Sequence, residues 1–322
     1  MFENSPVYSV QELVALSWKL LRLRLDLYHA THYVLPALVR CRVVVTIHDI
    51  IHLLYPEFLP SRMAFLYAQR MIGRSLRRGD RIIADSQNTK SDLMDYFEID
   101  GRKIEVVYPG VAESFRRRLS SDDIRQVLDS HGLERPYLLF VGNPKPHKNL
   151  DNVVRAFAEV VRRENFAGEL VCVGGRDEGQ QRILRQAERL GVAERVRLLG
   201  HVPEAALPAI YQGARLFLYP TLYEGFGLPV VEAMASGVPV ITSNTSALVE
   251  IATGYASLVD PLNVDQLADA IVALLVDDGL RQRLIAAGLD RASQFSWRHT
   301  AEQTLEVYRS AMLSDYPTGV AI

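Results

Sequence analysis

The stretch from Leu216 to Gly237, LFLYPTLYEGFGLPVVEAMASG, leaves a chain few ways to fold. Leu216 to Tyr219 form a short apolar and aromatic run closed by Pro220, which reads as a buried strand. Val230, Val231, Ala233, Met234 and Ala235 then read as a buried helix ending at Gly237. Pro229 suits its first turn, where the missing N–H is no loss. Between strand and helix lies Glu224-Gly225-Phe226-Gly227-Leu228. Its glycines let the backbone approach a ligand closely, and a helix start offers N–H groups and positive dipole to an anion. Glu232 follows Glu224 by eight residues, about two helical turns. Both carboxylates are therefore expected to border one pocket above the strand's carboxyl end.

The same alternation runs through the chain. In the first half, Leu27–His29, Val43–Ile47, Ile82–Ala84 and Ile104–Tyr108 read as strands, ending at His48-Asp49, Asp85-Ser86 and Pro109-Gly110 for the last three. In the second half, Tyr137–Val141, Leu170–Val173, Val196–Leu199 and Val238–Ile241 do the same, and residues 263–292 give two more helices. Strands alternating with helices imply parallel sheets, whose ligands gather at the strands' carboxyl ends. His48 sits at such an end. His29, His32 and His52 lie near it in sequence, but without cysteines or ordered carboxylates they read as cleft or core residues rather than metal ligands.

The text YEGFGLPVVEAMASGVPVI resembles, almost residue for residue, the E-x7-E signature of the retaining family 4 glycosyltransferases. The resemblance runs from about residue 9 to 313. It implies the α/β GT-B fold: two Rossmann-like parallel-sheet domains facing a cleft, residues 1–115 on the acceptor side and residues 116–296 binding the nucleotide-sugar. The helix 297–313 would cross back to complete the first domain. VVVTIHDIIHL is similar to the segment whose histidine faces the donor sugar, which places His48 there. Gly142-Asn143-Pro144-Lys145-Pro146-His147-Lys148-Asn149 resembles the diphosphate-binding loop, with Lys148 as the phosphate contact. The family's arginine beside it is replaced by Asn143 or His147, so Lys145 or a protonated His147 is expected to substitute. The strand end at Val202 would meet the nucleobase, Glu224 the sugar hydroxyls, Glu232 the ribose, and Gly225, Phe226, Gly227 and Leu228 the diphosphate. The resemblance implies no protein nucleophile and no required metal or cofactor. Among relatives, it looks nearest to bacterial mannosyl- and glucosyltransferases of surface polysaccharide assembly.

The family's first domain usually opens with a strand, a glycine-rich turn and a helix before a segment like SVQELVAL, residues 9–16. Met1 begins after these, so the first domain is expected to be shortened and loosely held, with weak or absent transfer. That leaves two alternatives to a hexosyltransferase: a donor-binding subunit without turnover, and a sugar-nucleotide 2-epimerase, which shares the fold.

With 322 residues, 48% hydrophobic and 23% charged, the chain is a globular protein of two-domain length. Two cysteines and no signal-peptide pattern point to a reducing, cytoplasmic location, and nothing marks a nucleic-acid binder. Net charge is −2 but uneven: residues 1–118 carry 17 Lys and Arg against 13 Asp and Glu. A basic first half favours an anionic acceptor or peripheral membrane contact. Trp18-Lys19-Leu20-Leu21-Arg22-Leu23-Arg24-Leu25 belongs to a helix expected over 9–25, read as a core helix with snorkelling arginines or as a membrane-surface segment. Arg62, Arg70, Arg74, Arg77, Arg78 and Arg81 read as a solvated face, with anionic headgroups or an acceptor's phosphate as the alternative. Arg116-Arg117-Arg118 reads as the polar start of the interdomain linker.

Overall fold

The computed structural model describes residues 17–175 and 178–313. The chain divides into two compact units, Met1–Pro109 with Arg298–Ile322, and Gly110–Trp297.

The first unit carries four parallel strands in sequential order: β1 (Leu27–Ala30), β2 (Arg42–Ile47), β3 (Arg81–Ala84) and β4 (Ile104–Val106). Right-handed crossovers are the rule for such parallel neighbours, and two long helices serve as connections. Helix α1 (Arg62–Arg78) starts at Ser61, whose hydroxyl accepts the Ala64 N–H, and buries Ala68, Met71, Ile72 and Leu76. Helix α2 (Gln87–Phe97) starts in the same way at Ser86, which caps Thr89. Val43, Val45, Ile47, Ile72, Leu76, Ile82 and Leu93 close one core. On the other face, Val307 and Ala311 of the terminal helix Trp297–Leu313 pack against Val44, Ile83 and Val107.

β4 is shorter than expected because its partner β3 ends at Ala84, whose carbonyl takes the Val107 N–H as the last bond between them. Residues 9–16 of the expected first helix lie outside the described residues; 17–22 are helical. Within the described part Trp18, Leu23 and Leu25 are exposed and Arg22 lies over the Trp18 ring, while four of the five residues of the expected core face fall outside the described residues. The arginine face of α1 needs correction. Arg74 donates to the Pro36 and Ala37 carbonyls, and Arg78 to those of Val39 and Cys41, while Arg81 reaches Ser310. These side chains hold the segment between β1 and β2 and the terminal helix; Arg62, Arg70 and Arg77 are the exposed members.

The second unit is a six-stranded parallel sheet: β5 (Tyr137–Val141), β6 (Glu169–Val173), β7 (Val196–Gly200), β8 (Leu216–Tyr219), β9 (Val240–Ser243) and β10 (Ser257–Val259). Their spatial order is β10-β9-β8-β5-β6-β7. The order therefore reverses between β5 and β8, the switch point where doubly wound sheets bind ligands. Helices α3 (Leu150–Glu164), α4 (Leu207–Gly213), α5 (Leu228–Ala235), α6 (Val264–Val276) and α7 (Asp278–Ser293) cover it. β9 sits two residues later than expected because Val238 closes α5 onto the Ala233 carbonyl. β10 escaped sequence reading, since three residues give no period. Arg116 and Arg118 are not a solvated linker: Arg116 donates to the Ala292 and Phe295 carbonyls and Arg118 to that of Ser236. Among the described residues, no helix is long and apolar enough to cross a membrane.

Candidate functional site

At the switch point, the loop after β5 carries Lys148 and the loop after β8 carries Glu224. The Lys148 Nζ donates to Glu224 Oε1 at 2.7 Å and Oε2 at 3.0 Å, and to Tyr219 Oη at 2.9 Å. The ammonium also lies 5.4 Å from the Tyr219 ring centroid. The two charged side chains are only 19% and 12% exposed, so solvent screens this pair far less than a surface ion pair. Tyr219 is buried at the end of β8, and its ionisation is pushed far up, first by burial and then by the neighbouring Glu224 charge. It stays a phenol, able to accept from the lysine and donate to the carboxylate.

The two loops are pinned to each other by the Asn149 side-chain amide and by one backbone hydrogen bond. Asn149, buried and in the left-handed region at φ 59°, donates to the Pro220 carbonyl at 2.8 Å and the Pro261 carbonyl at 2.7 Å. Leu222 donates its N–H to the His147 carbonyl at 2.8 Å. The Glu224 N–H donates to Ser246 Oγ at 3.0 Å, and Ser246 itself holds φ 51°, a conformation costly for a residue with a side chain. Gly142 ends β5 and gives its N–H to Val173. Beside it, a Cβ on Gly174 would stand 2.2 Å from the Gly142 carbonyl oxygen, so only glycine permits this approach of the two strand ends.

The helical arithmetic linking Glu224 to Glu232 does not hold. α5 begins only at Leu228, after a non-helical Gly227 at φ 101°, so Glu224 is off the helix. The carboxylates instead lie against two different tyrosines. Glu232 Oε2 accepts from Tyr211 Oη at 3.0 Å, and burial raises the carboxyl's pKa. Phe226 is buried edge-on to Phe295 at 5.3 Å, Leu228 is partly exposed, and Val202 is buried just past β7. Lys145 is exposed, and His147 is half-buried within the Pro146–Lys148 turn. Asn143, in the place of one expected arginine, accepts the Gly175 N–H at 2.6 Å and so braces the loop after β6.

In the first unit, His48 stands just beyond β2. Its Nδ1 lies 2.8 Å from Asp85 Oδ2 and its Nε2 lies 2.9 Å from the Thr31 carbonyl. The Thr31 carbonyl can only accept, so Nε2 carries a proton and donates to it. The His48 pKa is raised, chiefly by the Asp85 hydrogen bond. His29 bonds Tyr308 and Thr46 at 2.8 Å each, as a core residue would. Among the described residues, no cluster of three or more His, Cys, Asp or Glu is placed to hold a metal.

Sequence reading missed Tyr219, Tyr211, Asp85 and Ser246. Tyr219 read only as part of an apolar strand and Tyr211 drew no reading, because no local pattern announces that a strand or helix side chain will meet a charge brought from another loop. Asp85-Ser86 was legible as a strand end and helix cap, but not as the partner of His48.

Residues 122–291, just over half the chain, match the family model of the glycosyl transferases group 1, and residues 1–115 match that of glycosyltransferase family 4. The O-antigen chain mannosyltransferase B of Escherichia coli is 32% identical over 91% of this chain and 76% of its own length. The D-inositol 3-phosphate glycosyltransferase of Salinispora arenicola is 34% identical, and there the chain spans 59% of the relative's length. The sucrose-phosphate synthase structure from Thermosynechococcus elongatus superposes with a TM-score of 0.78 at 23% identity, over 92% of this chain and 76% of that one. Anabaena HepE in complex with UDP and glucose gives 0.78 at 23% identity, over 96% and 85%. These two likenesses place the fold as GT-B. The chain belongs to the group 1, family 4 glycosyltransferases.

Proposed function

We propose that the protein transfers a hexose, with retention, from a nucleotide-sugar donor to a glycan or lipid-linked acceptor in polysaccharide assembly. The observation that carries this reading is the Lys148–Glu224 pair at the sheet's switch point. Mannose is favoured by the relatives named as mannosyltransferases, among them the serotype-specific mannosyltransferase WbdA of Escherichia coli, 27% identical. GDP-mannose is thus the first donor to test, with UDP-sugars as the alternative raised by the UDP bound to HepE.

In this mechanism the bond between the anomeric carbon and the diphosphate oxygen breaks, and the diphosphate leaves with extra negative charge. Preorganised positive groups that meet developing charge are usually the largest catalytic term. Lys148 supplies the cation, and the start of α5 at Leu228, with the Gly225–Gly227 loop before it, adds its dipole. Glu224 takes the sugar hydroxyls. The acceptor oxygen bonds the anomeric carbon on the same face, and its proton passes to the leaving phosphate, so no protein nucleophile or metal enters the scheme. His48 is assigned to the donor sugar, its pKa raised chiefly by the Asp85 hydrogen bond.

A thermal-shift panel of GDP-, UDP- and ADP-sugars tests the donor, with Glu232→Ala as its companion. Losing a ribose contact to a charged acceptor costs about 1.5–3 kcal/mol, so free GDP or UDP should bind roughly 10- to 150-fold more weakly to Glu232→Ala. Unchanged nucleotide affinity would remove Glu232 from the ribose.

The exposed Trp18, Leu23 and Leu25, interleaved with Arg22 and Arg24, fit an anionic membrane surface on the acceptor side. The protein is expected to float with vesicles containing anionic lipid and not with zwitterionic ones, and Trp18→Ala with Leu23→Ser should abolish flotation. Equal behaviour on both vesicle types would end this assignment.

A further inference from the structure

Lys148 has four carbons between its backbone and its charge, and such a side chain presents a cation in one place only if something fixes its end. In this protein the fixing atom is not on the phosphate loop. It is the hydroxyl of Tyr219, at the carboxyl end of the neighbouring strand β8. The ring cannot swing away. It is 1% exposed, stacks on Phe217 with centroids 5.7 Å apart, and lies 5.9 Å from Phe140. The backbone beneath it is held as well, since Thr242 Oγ1 donates to the Tyr219 carbonyl at 2.8 Å. The ammonium thus rests between a rigid phenol oxygen and the Glu224 carboxylate.

We infer that Tyr219 is a positioning residue, which sets where Lys148 presents its charge to the donor diphosphate and keeps Glu224 from drawing the ammonium wholly to itself. The inference rests on the donor-site reading above and adds to it a residue that meets no substrate. A lysine held only by a carboxylate would follow that carboxylate. A neutral acceptor on a strand end gives it a second, fixed anchor, so one N–H can turn to a phosphate oxygen without the cation leaving its place.

The experiment is a double-mutant cycle on binding, with GDP-mannose and UDP-glucose titrated in parallel into four proteins: wild type, Tyr219→Phe, Lys148→Ala and the double variant. Phenylalanine keeps the ring and its stacking and removes only the hydroxyl. Tyr219→Phe is expected to weaken the nucleotide-sugar that binds by about three- to tenfold. Lys148→Ala should weaken it more, and adding Tyr219→Phe to Lys148→Ala should cost no further affinity. A purely structural role would give the same loss in both backgrounds, and such additivity, or an unaltered Tyr219→Phe, would overturn the inference while leaving the donor site standing. If neither sugar nucleotide binds the wild type, or Lys148→Ala binds as well as wild type, the donor-site reading fails, and this inference falls with it.

Discussion

Lys148→Ala is expected to lower donor turnover by about 10²-fold or more, the usual effect of removing one preorganised charge-stabilising donor. The effect has two physical parts. The leaving diphosphate loses its cation, and Glu224, with its side chain only 12% exposed, loses its counter-charge. A carboxylate left half-buried and unpaired is costly, so a stability loss of about 1–3 kcal/mol should accompany the kinetic one. Measuring melting and turnover on the same preparation separates the two. Full turnover in a well-folded Lys148→Ala protein would show that the diphosphate is neutralised elsewhere, with Lys145 the next cation on the loop.

The second large effect belongs to Gly174→Ala, a residue with no part in the chemistry. Its added Cβ would meet the Gly142 carbonyl oxygen at 2.2 Å and the Gly142 carbonyl carbon at 2.7 Å. Both are backbone atoms, and no rotamer change relieves them. The ends of β5 and β6 must part, at about 3 kcal/mol for overpacking of this kind. For a unit of this size that corresponds to a fall in Tm of about 6–12 °C. The shift also moves the start of the Lys148 loop, so nucleotide-sugar affinity should drop about tenfold or more. A Gly174→Ala protein with wild-type Tm and affinity would mean the two strand ends are not held as closely as this geometry requires.

Much of this architecture was legible because its signals are local. Strands such as Val43–Ile47 and Tyr137–Val141 are apolar runs bounded by turn residues, and Ser61 and Ser86 announce helix starts by their chemistry alone. Lys148 and Glu224 could be singled out because the text around each resembles a motif of the family 4 glycosyltransferases. What stayed hidden depends on distance along the chain. Tyr219 reaches a lysine 71 residues away, and Arg116 reaches carbonyls 176 and 179 residues on. Charge counting misread the arginines of α1 for the same reason, since a solvated guanidinium and one that satisfies buried carbonyls look alike in sequence. The helical spacing of Glu224 and Glu232 misled because Gly227 at φ 101° starts the helix later than a continuous pattern implies.

Retaining transfer from a nucleotide-sugar can be measured without knowing the acceptor. Glycosyl transfer to water can be followed by proton NMR as the protein is incubated with GDP-mannose and, separately, UDP-glucose. Nucleoside diphosphate is expected to be released from one of the two, with the α-anomer of the free sugar formed first and the β-anomer only through later mutarotation. First appearance of the β-anomer would contradict retention. A nucleotide-sugar altered at C2 would identify an epimerase, and a bound donor that stays intact would identify a binding subunit.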